Sequence, residues 1–258
     1  MSNLQITPLS LLFTSVLVLL SLFISYKEDL GFEKDIIVAA LRAFVQLSIA
    51  GFVLTKIFDV DSIYVNILAI LVIIVNAAWN ASKRGEDIEN SFRISLISIS
   101  ITTISILGIL LLSGSLEFVP SQAIPITGMI AGNSMSAIGV SYSNLMNFFT
   151  DNYQKVQERL ALGATPREAS IGLIRQTIAE GLIPTIDKSK TMGLVSLPGM
   201  MTGLLFAGVT PTKAILYQIM VMFIMISAAS ITVFIATYFA YQTFFSEREE
   251  LKIKNNNE

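Results

Sequence analysis

Apolar and polar positions along this chain fall into long alternating blocks. Apolar runs of roughly twenty residues, the length that spans a bilayer core, are separated by short charged segments. The first run, Thr7 to Tyr26, opens on Thr7-Pro8, an N-cap followed by proline at the first helical position. No basic residue precedes it and it is longer than a signal-peptide apolar core, so it predicts a membrane helix. Further helices are predicted over Ile36 to Phe58, Ile63 to Trp79, Phe92 to Ser113, Ala123 to Phe149, Gly193 to Ala207 and Pro211 to Tyr241. The expected fold is all-α: one membrane domain over residues 1–258, with seven transmembrane helices. The sixth, interrupted by Pro198 and Gly199, is short enough to be re-entrant or to borrow residues upstream.

One long connection, residues 151–192, breaks the pattern and itself reads as helical. Asn152 to Leu162 carries mixed charges, and Gly163-Ala164 ends that stretch. Thr165-Pro166-Arg167-Glu168 then has the form of a capping box with proline at the first helical position. Ile171, Ile174, Ile178 and Leu182 follow at three- and four-residue spacing. Two helices joined by a glycine corner are expected, the second amphipathic. It is read either as a helix lying on the membrane surface or as a docking element that passes force from a soluble partner. The tail, 246–258, is charged and then polar, and is expected to be flexible.

Composition sharpens this reading. Hydrophobic residues make up 53% of the chain and charged residues 14%, against about 25% charged in a soluble domain. Of the seventeen basic residues, fourteen fall on the odd-numbered connections and the C-terminus of a seven-span chain. That bias predicts an outside N-terminus and a cytoplasmic C-terminus. There is no cysteine and no histidine, which removes disulfides, thiolate and imidazole metal sites, and the commonest general base. No phosphate-binding glycine loop, catalytic triad, zinc motif or nucleic-acid motif occurs, so the chain is not expected to be an enzyme or to bind ATP itself.

Candidate functional residues lie where small residues and prolines interrupt the apolar runs. Pro125, Gly128, Met129, Gly132, Asn133 and Met135 fall on the fifth predicted helix. Ser196, Pro198, Gly199, Met200 and Met201 fall on the sixth. Broken helices expose backbone carbonyls at membrane depth, which is tolerated beside protein or a polar cavity, so these two segments are the expected lining of a transport path. Glycine pairs such as Gly128/Gly132 equally suit plain helix packing. The methionines suit a soft cation, although methionine also fills irregular gaps. Arg42 lies near the expected inner end of the second helix and can snorkel to the interface. No high-affinity metal site is legible.

A resemblance adds to this. The string from Gln157 to Pro166, with Leu162-Gly163-Ala164-Thr165-Pro166 at its end, resembles the cytoplasmic coupling loop of ATP-binding-cassette (ABC) permeases. Gln157 stands where an acidic residue is usual, with Glu158 one position late. Asn76 to Ala81, Ile124 to Asn133 and Gly193 to Met201 resemble the FetB-type permease family, which includes plant aluminium-sensitivity permeases. The resemblance implies a homodimeric permease in a bacterial inner membrane, with ATP and Mg²⁺ on a separate FetA-type ATPase. It also implies metal homeostasis, with iron as the proposed exported cargo. Gln157, Glu158, Leu162, Gly163, Ala164, Thr165, Pro166 and Arg167 would then form the ATPase-coupling corner. The other readings open at this point are a self-sufficient secondary transporter or channel, and a membrane assembly factor with no transport role.

Overall fold

The computed structural model describes residues 13–59, 62–193, 197–246 and 248–252. Among them there is no strand, and Phe245 and Leu251 form an isolated bridge. The chain divides into two compact units, residues 1–61 and 62–258. The first holds α1 (Val16–Lys27) and α2 (Glu33–Asp59). Their connection is pinned by Ser25, whose hydroxyl donates to Glu33 Oε1 at 2.7 Å and accepts from Phe32 N at 3.3 Å. The cap at Thr7-Pro8 lies outside the described residues. On α2 the large apolar side chains are exposed, Phe44, Leu47 and Phe52 among them, and Arg42 is exposed with them. Exposed apolar surface on this scale marks a membrane- or protein-facing helix.

The second unit holds α3 (Ile63–Ser82), α4 (Ser91–Leu112), α5 (Pro120–Asp151), α6 (Tyr153–Ala161), α7 (Pro166–Thr191), α8 (Gly199–Phe206) and α9 (Pro211–Ala240). By length and apolar composition five described helices can cross a membrane: α2, α3, α4, α5 and α9. The apolar faces of α3, α4, α5 and α9 meet in a core that includes Ala78, Ile99, Ile138, Leu145, Phe149 and Val233. Lipid offers little hydrophobic drive between helices, so polar contacts and small residues fix the packing. Thr232 on α9 donates to Thr102 on α4 at 2.7 Å, and Thr102 donates to Ser98 O at 2.8 Å. Thr232 has one proton, so Ser134 on α5 donates to Thr232 at 2.9 Å. One chain of hydroxyls thus clasps three helices. Asn66 Nδ2 donates to Phe118 O at 3.2 Å, and Tyr142 OH pairs with Ser95 Oγ at 3.0 Å.

Two expectations change shape. The fifth helix is not interrupted: α5 is continuous, with Pro125 in its second turn, where it frees only carbonyls near the helix end. The expected sixth helix is reduced to the eight residues of α8. Its neighbour α7 is correspondingly long, because its buried stripe of Ala169, Ser170, Ile174, Thr177, Gly181 and Thr185 lies against the bundle. The Arg167 guanidinium sits 6.0 Å from the Tyr238 ring, Gly181 abuts Ser141 and Val233, and Met192 Sδ lies 3.3 Å from Gln218 Nε2. From its first turn to its end α7 therefore runs antiparallel to α9. Gly181 makes this possible: a Cβ there would collide with Ser141 Oγ and lie 3.1 Å from Val233 Cγ1.

Beyond α9 a 3₁₀ turn, Tyr241–Phe244, leads to a short return. Phe149 stacks on Phe244 with ring centroids 4.6 Å apart. Leu251 is buried in the same cluster, and Lys252 Nζ lies 3.2 Å from Glu89 Oε2.

Candidate functional site

The glycine corner between α6 and α7 is built by local sequence. After the last turn of α6, Gly163 takes φ +88°. Its N–H donates to Leu160 O at 2.9 Å, and Ala164 N donates to Arg159 O at 3.0 Å. This is the Schellman termination, in which a left-handed residue closes the helix, and it suits glycine because a Cβ is strained there. Thr165 then caps α7: its Oγ1 accepts from Glu168 N at 3.3 Å, while Glu168 Oε2 accepts from Thr165 N at 2.9 Å. Pro166 occupies the first helical position, as the capping-box pattern predicts. The hydrogen bonds from Thr165 hold the Glu168 carboxyl below its ordinary range.

The corner projects from the fold. Leu162 is 87% exposed, an unusual state for a leucine flanked by two capped helices. Glu158 and Arg167 are exposed, and Arg159 Nη1 reaches back to Ala169 O at 3.1 Å, tying one helix to the other. Gln157 is partly buried and donates to Tyr153 OH at 3.2 Å. Thr165, Pro166 and Arg167 share a cavity of about 390 Å³ with Tyr241, Phe245 and Glu249. The corner and the C-terminal return are therefore neighbours.

The expected path residues separate into two settings. Pro125 and Gly128 are exposed on α5, and Gly132 is partly so. They share one helix face with Ser121, Ser136, Ser143 and Asn147, all exposed. This face is small and polar throughout, whereas α4 and α9 present Ile97, Ile101, Ile104, Phe223 and Phe234 outward. A Cβ at Gly128 or Gly132 would meet nothing within 4 Å. The glycines therefore do not serve packing inside this unit.

The remaining predicted residues surround α8. Met129 lines a cavity of about 330 Å³ with Pro125, Met200, Tyr217 and Met220. Pro198 and Met201 line another, of about 240 Å³. Gly199 begins α8 and its surroundings are open. Asn133 Nδ2 donates to Met225 O on α9 at 2.8 Å, and Met135 packs against the main core. Ser196 lies outside the described residues. Sequence reasoning missed Arg84, Met192, Gln218, Met220 and Met222, whose roles come from neighbours far along the chain. Among the described residues no group of three or more acidic side chains could hold a metal ion.

Comparison with known proteins places these features in a wider set. Residues 8–245 match the family described as Uncharacterised protein family (UPF0014). The chain is 49% identical to the "Probable iron export permease protein FetB" of Escherichia coli, covering 98% of each chain. It is 36% identical to "Protein ALUMINUM SENSITIVE 3" of Arabidopsis thaliana, covering 92% of this chain and 87% of that one. It is also 36% identical to "UPF0014 membrane protein YjkA" of Bacillus subtilis, covering 95% and 98%. No solved structure matches the chain.

Proposed function

This chain belongs to the UPF0014 family of membrane proteins, and from that premise we propose that it is the permease subunit of an ABC transporter, driven by a separate FetA-type ATPase. The observation that carries the reading is the corner at Leu162-Gly163-Ala164. It is exposed, capped on both sides, and continuous with α7, which lies along two candidate membrane helices. A push on such a corner travels as rigid-body motion of α7 against α5 and α9, since helices closed by both caps have no slack at the joint. ATP and Mg²⁺ belong to the partner, and the corner faces the cytoplasm with the C-terminus. The N-terminus is outside, in a bacterial inner membrane.

In this reading α7 makes the sixth crossing and α8 is an outer half-helix. The small polar face of α5 meets a second copy of the chain, and the path runs between the two. Gly128 and Gly132 permit the close approach, and Ser136, Ser143 and Asn147 give the path its polar wall. The name of the E. coli relative supports an outward-moving metal cargo, iron in the first instance.

The test is to co-express the chain with its ATPase, purify the complex, and measure ATP hydrolysis and metal efflux in proteoliposomes. Gly163→Val should leave the subunits together and ATP hydrolysed while efflux falls, because valine resists the left-handed backbone at this corner. Efflux without any ATPase, driven by an ion gradient, would replace this reading with a secondary transporter.

A further inference from the structure

Three methionines converge beside α8 from three separate elements. Met192 ends α7, Met201 lies on α8 and Met222 on α9, and all line the cavity of about 240 Å³. Gln218 lines it too and is only 7% exposed. Its Nε2 donates to Met192 Sδ at 3.3 Å, which fixes the amide, and its Oε1 has no hydrogen-bond partner. Methionine alone would be explained by gap filling. An unpaired amide oxygen in the same wall is not, because a buried acceptor without a donor costs free energy.

We propose that Met192, Met201 and Met222, with the amide oxygen of Gln218, form a binding site for a soft monovalent cation of the copper(I) or silver(I) class. Thioether sulfur is a neutral, polarisable donor, and it selects d¹⁰ monovalent ions over the borderline and hard ions that favour imidazole or carboxylate. Three sulfurs and one oxygen supply the three or four donors such ions take. The sulfur of Met192 accepts one hydrogen bond and keeps a second lone pair for the metal. Leu197, Ile215 and Ile219 give the cavity an apolar rim. The unpaired Oε1 then has the partner it lacks. Met200, next to Met201, points to the other cavity with Met129 and Met220, so α8 divides its two methionines between different walls. That second cavity serves as the internal control.

The site goes beyond the permease reading and stands without it. Silver(I), which is not oxidised in air, is titrated into the purified full-length chain in detergent, with iron(II) in parallel. One silver ion per chain should bind tightly and iron(II) should not displace it. The triple variant Met192→Leu, Met201→Leu, Met222→Leu should lose that binding, since leucine keeps the volume and removes the sulfur. Gln218→Leu should weaken it roughly 10-fold, as loss of a supporting group does at metal sites. Met129→Leu, Met200→Leu, Met220→Leu should bind as the parent does. If the first triple variant fails to fold, Met201→Leu and Met222→Leu singly must each weaken binding. Unchanged binding in the folded triple variant, transfer of the loss to the control triple, or no stoichiometric silver on the parent overturns the proposal. Because silver is read on the chain alone, failure here leaves the permease reading intact, and absence of an ATPase partner leaves this site intact.

Discussion

Arg84 lies across Gly139: a Cβ placed there would collide with Arg84 Cδ, with Nη1 3.1 Å and Nε 3.3 Å away. The adjoining residue makes the reciprocal contact, since a Cβ on Gly85 would collide with the ring of Tyr142. The connection after α3 is thus seated on α5 by two glycines, one on each partner. It sets the guanidinium beside Ser143 and Asn147 in a cavity of about 190 Å³, at the end of the polar α5 face.

The two glycines should respond differently to alanine. Arg84 is a long side chain and can swing aside, so Gly139→Ala should cost less than about 1 kcal/mol. Tyr142 is buried and hydrogen-bonded to Ser95, so Gly85→Ala should cost about 1–3 kcal/mol through overpacking. Thermal unfolding in detergent distinguishes them, and equal losses would contradict the seating described.

Gly181→Ala should destabilise by a similar amount, about 1–3 kcal/mol, by forcing α7 off α5. Ser141→Ala removes the hydroxyl it would strike, leaving Val233 as the nearest obstacle. The double variant should recover part of the loss, a coupling that a double-mutant cycle reads directly. Strict additivity would mean that α7 does not pack here.

The course of α7 is open to chemical labelling because the chain has no cysteine of its own. Single cysteines at Lys188 and Lys213 should react with an impermeant maleimide from the same side of the membrane. One at Leu162 should react from the other. If Lys188→Cys and Leu162→Cys label from one side, α7 does not cross.

The capping box carries a pH signature. Thr165 holds the Glu168 carboxyl below its ordinary value of 4.5. A depressed folded-state value means the stabilisation is complete above that ordinary value and is lost as pH falls through the lower one. Amide protection factors in the first turn of α7, measured against the intrinsic exchange rate at each pH, should therefore fall at acid pH, and Glu168→Gln should flatten that dependence. A Gln variant with the parent's pH profile would remove Glu168 from the cap.

Much of the fold was legible because it depends on neighbours in sequence. The capping box at Thr165, the left-handed break at Gly163 and the apolar runs of α2, α3, α4, α5 and α9 all follow from local pattern. The corner was legible for the same reason. The length of α7 was not: Arg175, Gln176, Asp187 and Lys188 interrupt its apolar pattern, and all four are exposed on one side of a helix whose other side is buried. Lys188 and Lys190, expected on the cytoplasmic side, lie toward the end of α9 that begins at Pro211, because α7 runs antiparallel to it.

The sequence by itself determined an all-helical membrane chain with an exposed glycine corner, since hydropathy, helix caps and positive-φ glycines are properties of a few consecutive residues. Only the tertiary structure decided which small residues of α5 face outward, that Met192, Met201 and Met222 share one wall with Gln218, and that Arg84 rests on Gly139. Each of these joins residues from separate helices, and their juxtaposition is set by how buried faces and hydroxyl pairs lock the bundle, information that no single stretch of the chain carries.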